Sequence, residues 1–220
     1  MSTEPDPLDP PIDVVMVDRV LRTARSVRRN LDFERPVEPE VLLDCINVAN
    51  QAPTGIAGES WRFLVVTESG PKAAIAAIYQ RILVALLDER GIPMKPTHRA
   101  LTDRLHEIPA MVFVCCEGRP GPELSANIAY FGSLLPAAWS LMLALRARGL
   151  GTTWTSLLSA DQAGVAEVLG IPEDVTQAVM LPVAYTRGAR LKPASRLDAR
   201  EVTFWERWEG RLPPDGGDGP

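Results

Sequence analysis

The sequence is poor in the residues that carry most side-chain chemistry: of its 220 residues only three are cysteine and two are histidine. Cys45, Cys115 and Cys116 cannot build a disulfide framework, and the adjacent pair would point to opposite sides of a strand. The use left to them is as small buried hydrophobes. His98 and His106 have no cysteine or histidine at metal-ligand spacing, so no metal site is expected, and they read as surface residues of a short helix. Motifs for a nucleophile or a phosphate loop are absent too, since no G-x-S-x-G, G-x-x-x-x-G-K-[ST] or H-E-x-x-H occurs. Gly149-Leu150-Gly151 lacks the third glycine of a dinucleotide fingerprint and follows a helical pattern instead of a strand. Positive charge is not in excess either. With 23 Lys+Arg against 28 Asp+Glu the net charge is -5, which gives no general reason to expect nucleic acid or an anionic membrane as partner. Residues 1–12 are acidic and proline-rich without the basic start and apolar core of an export signal, so a disordered tail and a cytoplasmic location are expected. Repeats and an interdomain linker are missing, which leaves one domain over residues 13–209 and a flexible Gly/Pro-rich tail over 210–220.

Apolar material is plentiful, at 46% of the chain, and is enough for a sizeable core. Its densest stretch runs from Ser125 to Arg148. Between Ile128 and Leu145 no side chain is charged, and apolar residues occupy every face of the helical wheel, so the segment must be buried. Its length approaches that of a membrane span. Asn127, Gly132, Ser133, Pro136 and Ser140 interrupt it, however, and the sequence shows no second comparable segment to pack beside it in lipid. A central helix wrapped by protein is the better reading, and a chain of this size would need a second subunit to complete the cover.

Around it, periodicity predicts helices over residues 14–23, 41–51, 72–90 and 161–169, the last capped by Ser159. Strands are expected over 61–67 and 110–116, through Trp154, and over 178–185. Strands separated by long helices imply α+β or α/β. Residues 92–108 have no clean period; they read as a mobile excursion with one short helix, either a lid carrying Met94, His98 and Arg99 or a plain surface loop. Trp61 reads as core, while Trp154 could serve core or site.

Since no side-chain constellation offers catalysis, a cofactor would have to carry the chemistry. Arg25 and Arg28, three apart at a helix end with Ser26 between them, can aim at one point. Guanidinium forks match phosphate oxygens, although a solvated basic face with Arg29 has the same spacing.

The order Arg25-Ser26-Val27-Arg28, Ala52-Pro53-Thr54-Gly55 leading to Trp61-Arg62-Phe63, Gly149-Leu150-Gly151-Thr152-Thr153-Trp154 and Ser195-Arg196-Leu197 resembles the nitroreductase family of flavin enzymes over residues 18–208. The resemblance implies an α+β fold with a central, mostly antiparallel sheet flanked by helices. It also implies a homodimer with the long helix at its interface, and FMN in two interfacial clefts. Arg25, Ser26, Arg28 and Arg196 would grip the phosphate and ribityl chain. Pro53, Thr54 and Gly55 would reach the flavin of the other subunit, and the backbone of Thr155, Ser156 and Leu157 would run along the ring. The implied activity is ping-pong: NADH or NADPH reduces the flavin and a small acceptor such as a nitroaromatic or quinone reoxidises it, with no catalytic side chain required. Many members carry Asn and Gln where this loop has Ala57 and Glu59, and a further basic residue in place of Ala24. A flavin-binding dimeric module with little turnover, or specialised substrate chemistry, are the alternatives.

Overall fold

The computed structural model describes residues 11–55 and 60–211. The described chain enters through α1 (Val14–Thr23), whose first turn is capped by Asp13, accepting from the Met16 amide at 3.0 Å. It continues through β1 (Leu31–Asp32), α2 (Pro39–Ala49), β2 (Trp61–Val66), α3 (Ser69–Glu89), α4 (Pro96–Thr102) and β3 (Ala110–Glu117). After these come α5 (Leu124–Ala147), β4 (Leu150–Thr152), α6 (Gln162–Leu169) and β5 (Val175–Thr186). The sheet runs β1-β5-β3-β2, β4 also pairs with β5, and every strand pair is antiparallel. This is an α+β fold with helices on both faces of an antiparallel sheet.

β3 explains the layering. All its residues from Ala110 to Cys116 are buried, because alternate side chains face different cores. Val112, Val114 and Cys116 pack with Leu42 and Cys45 of α2 and with Leu141 and Leu145 of α5. Met111, Phe113 and Cys115 pack with Ile75, Tyr79 and Leu83 of α3. The two adjacent cysteines thus serve opposite layers, and burial pushes the Cys115 thiol up to about 12, which makes it inert at neutral pH. Trp61 is core, 4% exposed, and its indole N–H donates to Asn50 Oδ1 at 3.1 Å.

Several expectations are corrected. Residues 92–108 form α4 and a short 3-10 helix, and they sink Leu101, Leu105 and Ile108 into the α3 layer. The end of the excursion is therefore anchored in the core. His106 is exposed, but His98 is half-buried on α4. Helix α6 is capped by Asp161, which accepts from the Gly164 amide at 2.9 Å, whereas Ser159 turns its hydroxyl to the Ser156 carbonyl. β4 ends at Thr152, two residues before Trp154. Helix α5 is not wrapped throughout: Leu134, Ala138, Leu141 and Leu145 are buried, yet Leu124 is 74% and Ile128 64% exposed. Nor is it alone in its hydropathy, since α3 is also long and apolar enough to span a bilayer. Both helices bury one side against the sheet, as core helices of this composition do.

Two glycines steer the exit from α5. Gly149, at φ +79°, takes the left-handed conformation that ends the helix. Gly151 is needed for space, because a Cβ there would lie 2.8 Å from both Leu31 Cδ2 and Thr186 Cγ2. Gly151→Ala is expected to cost about 1–3 kcal/mol of stability through forced repacking, read as a lower urea midpoint. An unchanged midpoint would mean that β4 does not sit in this cleft.

Candidate functional site

The segment after α1 is held to β4 by a run of bonds. The Val27 amide donates to the Thr152 carbonyl at 2.9 Å, and Thr153 Oγ1 donates back to the Val27 carbonyl at 2.8 Å. Val27 and Thr153 are buried, which fixes the segment, while the neighbours Ser26 and Arg28 point outward. Beside them lies a cavity of about 280 Å³ whose lining includes Ser26, Arg28, Arg29, Asn30, Thr97 and Arg190. Three arginines and no carboxylate line it. Among the described residues none of the three has an ion-pair partner, whereas Arg35, Arg62, Arg81 and Arg187 all do. Such a cluster of unpaired guanidinium groups suits an anion with several oxygens.

Not all of the expected phosphate residues converge on it. Arg25 instead donates Nη1 to the Lys192 carbonyl at 3.1 Å and so ties the C-terminal segment down beside the cavity. Arg196 is exposed and outside the lining, with Nη1 directed to its own neighbour, the Ser195 carbonyl, at 3.4 Å. The late arginine in the lining is Arg190, two residues past the turn at Gly188. Sequence reasoning missed Arg190; its signal was a glycine turn directly after the last strand, which brings the chain back past the start of β1.

Beyond β4 the chain passes Trp154 and reaches Thr155, whose N–H and C=O both pair with Met180, at 3.2 and 2.8 Å. Thr155 is thereby spent on the sheet. Ser156 and Leu157 stand at the start of a 3-10 helix, where the first N–H groups have no intrahelical acceptor. Ser156 also lines a larger cavity, about 630 Å³, walled by Phe131 and Leu135 of α5, Trp154 and Val179, with Arg119 among its lining. Its size suits a small organic ligand. Trp154 thus does both: it lines this cavity and packs against the core of the α2–α5 layer. Gln177 lies at its floor, 4% exposed, with Nε2 donating to the Gln162 carbonyl at 3.1 Å.

The loop carrying Pro53, Thr54 and Gly55 lies elsewhere. The Gly55 amide donates to Ser133 Oγ at 3.0 Å on α5, two residues from Phe131 and Leu135 and so on a different side of that helix. Within one chain, among the described residues, Pro53, Thr54 and Gly55 line neither of the two cavities. Ala57, Gly58 and Glu59 lie outside the described residues.

Fold and site define a class: an antiparallel α+β protein with a cationic cavity beside the segment that follows α1 and an aromatic-walled cavity beside the segment that follows β4. The family model described as Nitroreductase family matches residues 21–185, and the chain belongs to that family. It is 26% identical over 201 residues to the iodotyrosine deiodinase of Thermotoga neapolitana, covering 86% of this chain and 99% of that one. It is 26% identical over 178 residues to the iodotyrosine deiodinase of Drosophila melanogaster, of which it spans 61% while using 76% of its own length. Among solved structures, oxidized iodotyrosine deiodinase bound to FMN and 3-iodo-L-tyrosine superposes with a TM-score of 0.66 at 25% identity, covering 86% of this chain and all of that one.

Proposed function

We propose that this chain is an FMN-dependent oxidoreductase that passes electrons from NADH or NADPH to a small organic acceptor, and that it works as a homodimer. The observation that carries the reading is the pair of cavities: unpaired arginines for a phosphate in one, and in the other an aromatic-walled space of about 630 Å³, room for a flat ring at the Ser156 and Leu157 amides with a small acceptor beside it. Residues present fit the cofactor. Ser26, Arg28 and Arg190 would hold the phosphate, with Arg25 positioning the C-terminal segment that carries Arg190. The amides of Ser156 and Leu157 would face the ring edge and favour negative charge there. Bound FMN would supply hydride transfer, so the protein's own work is to bind, orient and keep water out.

The dimer is supported by apolar surface that one chain leaves bare. Val14, Val15 and Met16 of α1, Leu124 and Ile128 of α5, and Trp208 are each more than half exposed. Surface of this kind in a folded chain marks an interface. A second copy would also give Pro53, Thr54 and Gly55 a role, contact with the partner's cofactor, which their place outside the lining of this chain's own two cavities otherwise denies them.

Purified protein is expected to be yellow, and NADH or NADPH added without oxygen should bleach it. Protein that is colourless and takes up no FMN on titration would overturn the reading; bound FMN that neither nucleotide bleaches would leave a dimeric flavin-binding module. A second reading is favoured by the two deiodinase relatives: reductive removal of halogen from a halogenated phenol. It is distinguished by whether the reduced protein is reoxidised by 3-iodotyrosine with release of iodide, or by a nitroaromatic.

A further inference from the structure

The 630 Å³ cavity beside Trp154 has a single charged group in its lining, Arg119, and no carboxylate. Its remaining walls are apolar, as at Phe131, Leu135, Trp154 and Val179, or neutral, as at Ser156 and Gln162. The position of Arg119 is set by the strand ends. Gly118, at φ +87°, turns the chain out of β3, and its amide donates to the Asp174 carbonyl at 2.7 Å, which ties the turn to the start of β5. Arg119 is the next residue, and its guanidinium donates to the Glu173 carbonyl beside that tie. One N–H group is thus used to fix the side chain at the cavity's rim. The rest of the fork has no acidic partner among the described residues. In a chain carrying more acids than bases, an unpaired arginine at the mouth of an apolar cavity is a departure from the background charge.

We infer that this cavity selects a flat, mostly apolar ligand bearing one negative charge, and that Arg119 sets the preference. Apolar walls displace water from one side of the contact, so a carboxylate meeting the guanidinium there is screened less than an ion pair on open surface. The same cation disfavours a positively charged ligand. Aromatic acids, not aromatic amines, are therefore the acceptor class. Reduction of the bound acid rests on the flavin reading, but its binding does not.

Calorimetry on the purified protein, with its visible spectrum recorded separately, tests this on three ligands of one shape: 4-nitrobenzoate, neutral 4-nitrobenzamide and cationic 4-nitrobenzylamine. The benzoate is expected to bind about tenfold more tightly than the amide, and the amine most weakly. Arg119→Gln should cost the benzoate about tenfold and leave the amide unchanged; the residue is exposed, so the fold should tolerate it. Equal affinities, no binding by any of the three, or discrimination that survives in Arg119→Gln would overturn the inference. Charge discrimination in a colourless protein would sink the flavin reading alone, while a yellow protein without discrimination would sink this one alone.

Discussion

Leu141→Ala is expected to lower stability by about 3 kcal/mol and, with it, to cost bound flavin and dimer. Leu141 is fully buried in the layer where α5 meets α2 and β3, among Leu42, Val112, Val114 and Leu145. Removing its three outer carbons leaves a cavity between elements that are themselves rigid, and such cores close only partly around a deletion. The wider effect comes from continuity. Two residues after Leu145 the helix ends, Gly149 turns the chain into β4, and Ser156 and Leu157 lie just beyond. The same helix exposes Leu124 and Ile128 at its other end, at the proposed contact with the second subunit. A loosened α5 therefore disturbs both. Urea denaturation gives the stability, and gel filtration with absorbance at protein and flavin wavelengths gives the rest. A variant that loses about 3 kcal/mol yet elutes unchanged with full flavin would refute the coupling. Val84→Ala on α3, at a position 40% exposed, serves as the control and should fall within about 0.5 kcal/mol of wild type.

What could be read from the sequence depended on how local its cause was. β3 was legible because seven apolar residues in a row leave no face for water, and both layers do cover it. The end of α5 was legible because Gly149 carries its own backbone signal. β1 was not, since two residues, Leu31 and Asp32, contain no period; they are strand only because Thr186 and Tyr185 lie opposite. Residues 92–108 show no clean period because the α4 helix stops at Thr102 and a separate 3-10 turn carries Leu105, so no single helix spans the segment. Ser159 and Asp161 are both good capping residues, and only the chain path through the preceding 3-10 turn decides for Asp161. Family membership was legible from ordered short motifs, and the model match over residues 21–185 bears it out. The finer site was less so. Arg196 stands in the familiar late Ser-Arg-Leu, yet Arg190 lines the cavity, because placement of that segment depends on Arg25 reaching the Lys192 carbonyl, a contact across 167 positions that no local pattern encodes. The Trp154 cavity draws on the turn after β3, α5, the segment after β4, α6 and β5, and a site assembled from five segments leaves no contiguous mark.

Arg28→Ala is expected to weaken FMN binding by about 2 kcal/mol, roughly thirtyfold, because it removes a charge-assisted contact from a half-buried site. Arg28 is well placed for this. Its backbone neighbours Val27 and Thr153 are locked together, so the side chain starts from a fixed base and loses little further freedom on binding. The near environment adds no competitor: the cavity has no carboxylate in its lining, and the nearby Tyr79 hydroxyl is buried, a neutral group whose titration burial drives upward. The comparison that decides the architecture is between the two late arginines. If the cavity at Ser26 holds the phosphate, Arg190→Ala should cost nearly as much as Arg28→Ala, while Arg196→Ala should cost less than about threefold, under 1 kcal/mol. Fluorescence quenching of FMN on titration with apo-protein measures all three. The reverse order would mean that the C-terminal segment rearranges on binding, bringing Arg196 in and releasing Arg190. Equal, unchanged affinities would return Arg28 to a solvated basic face, the alternative that its spacing with Arg25 always allowed, and would move the phosphate site off this cavity altogether.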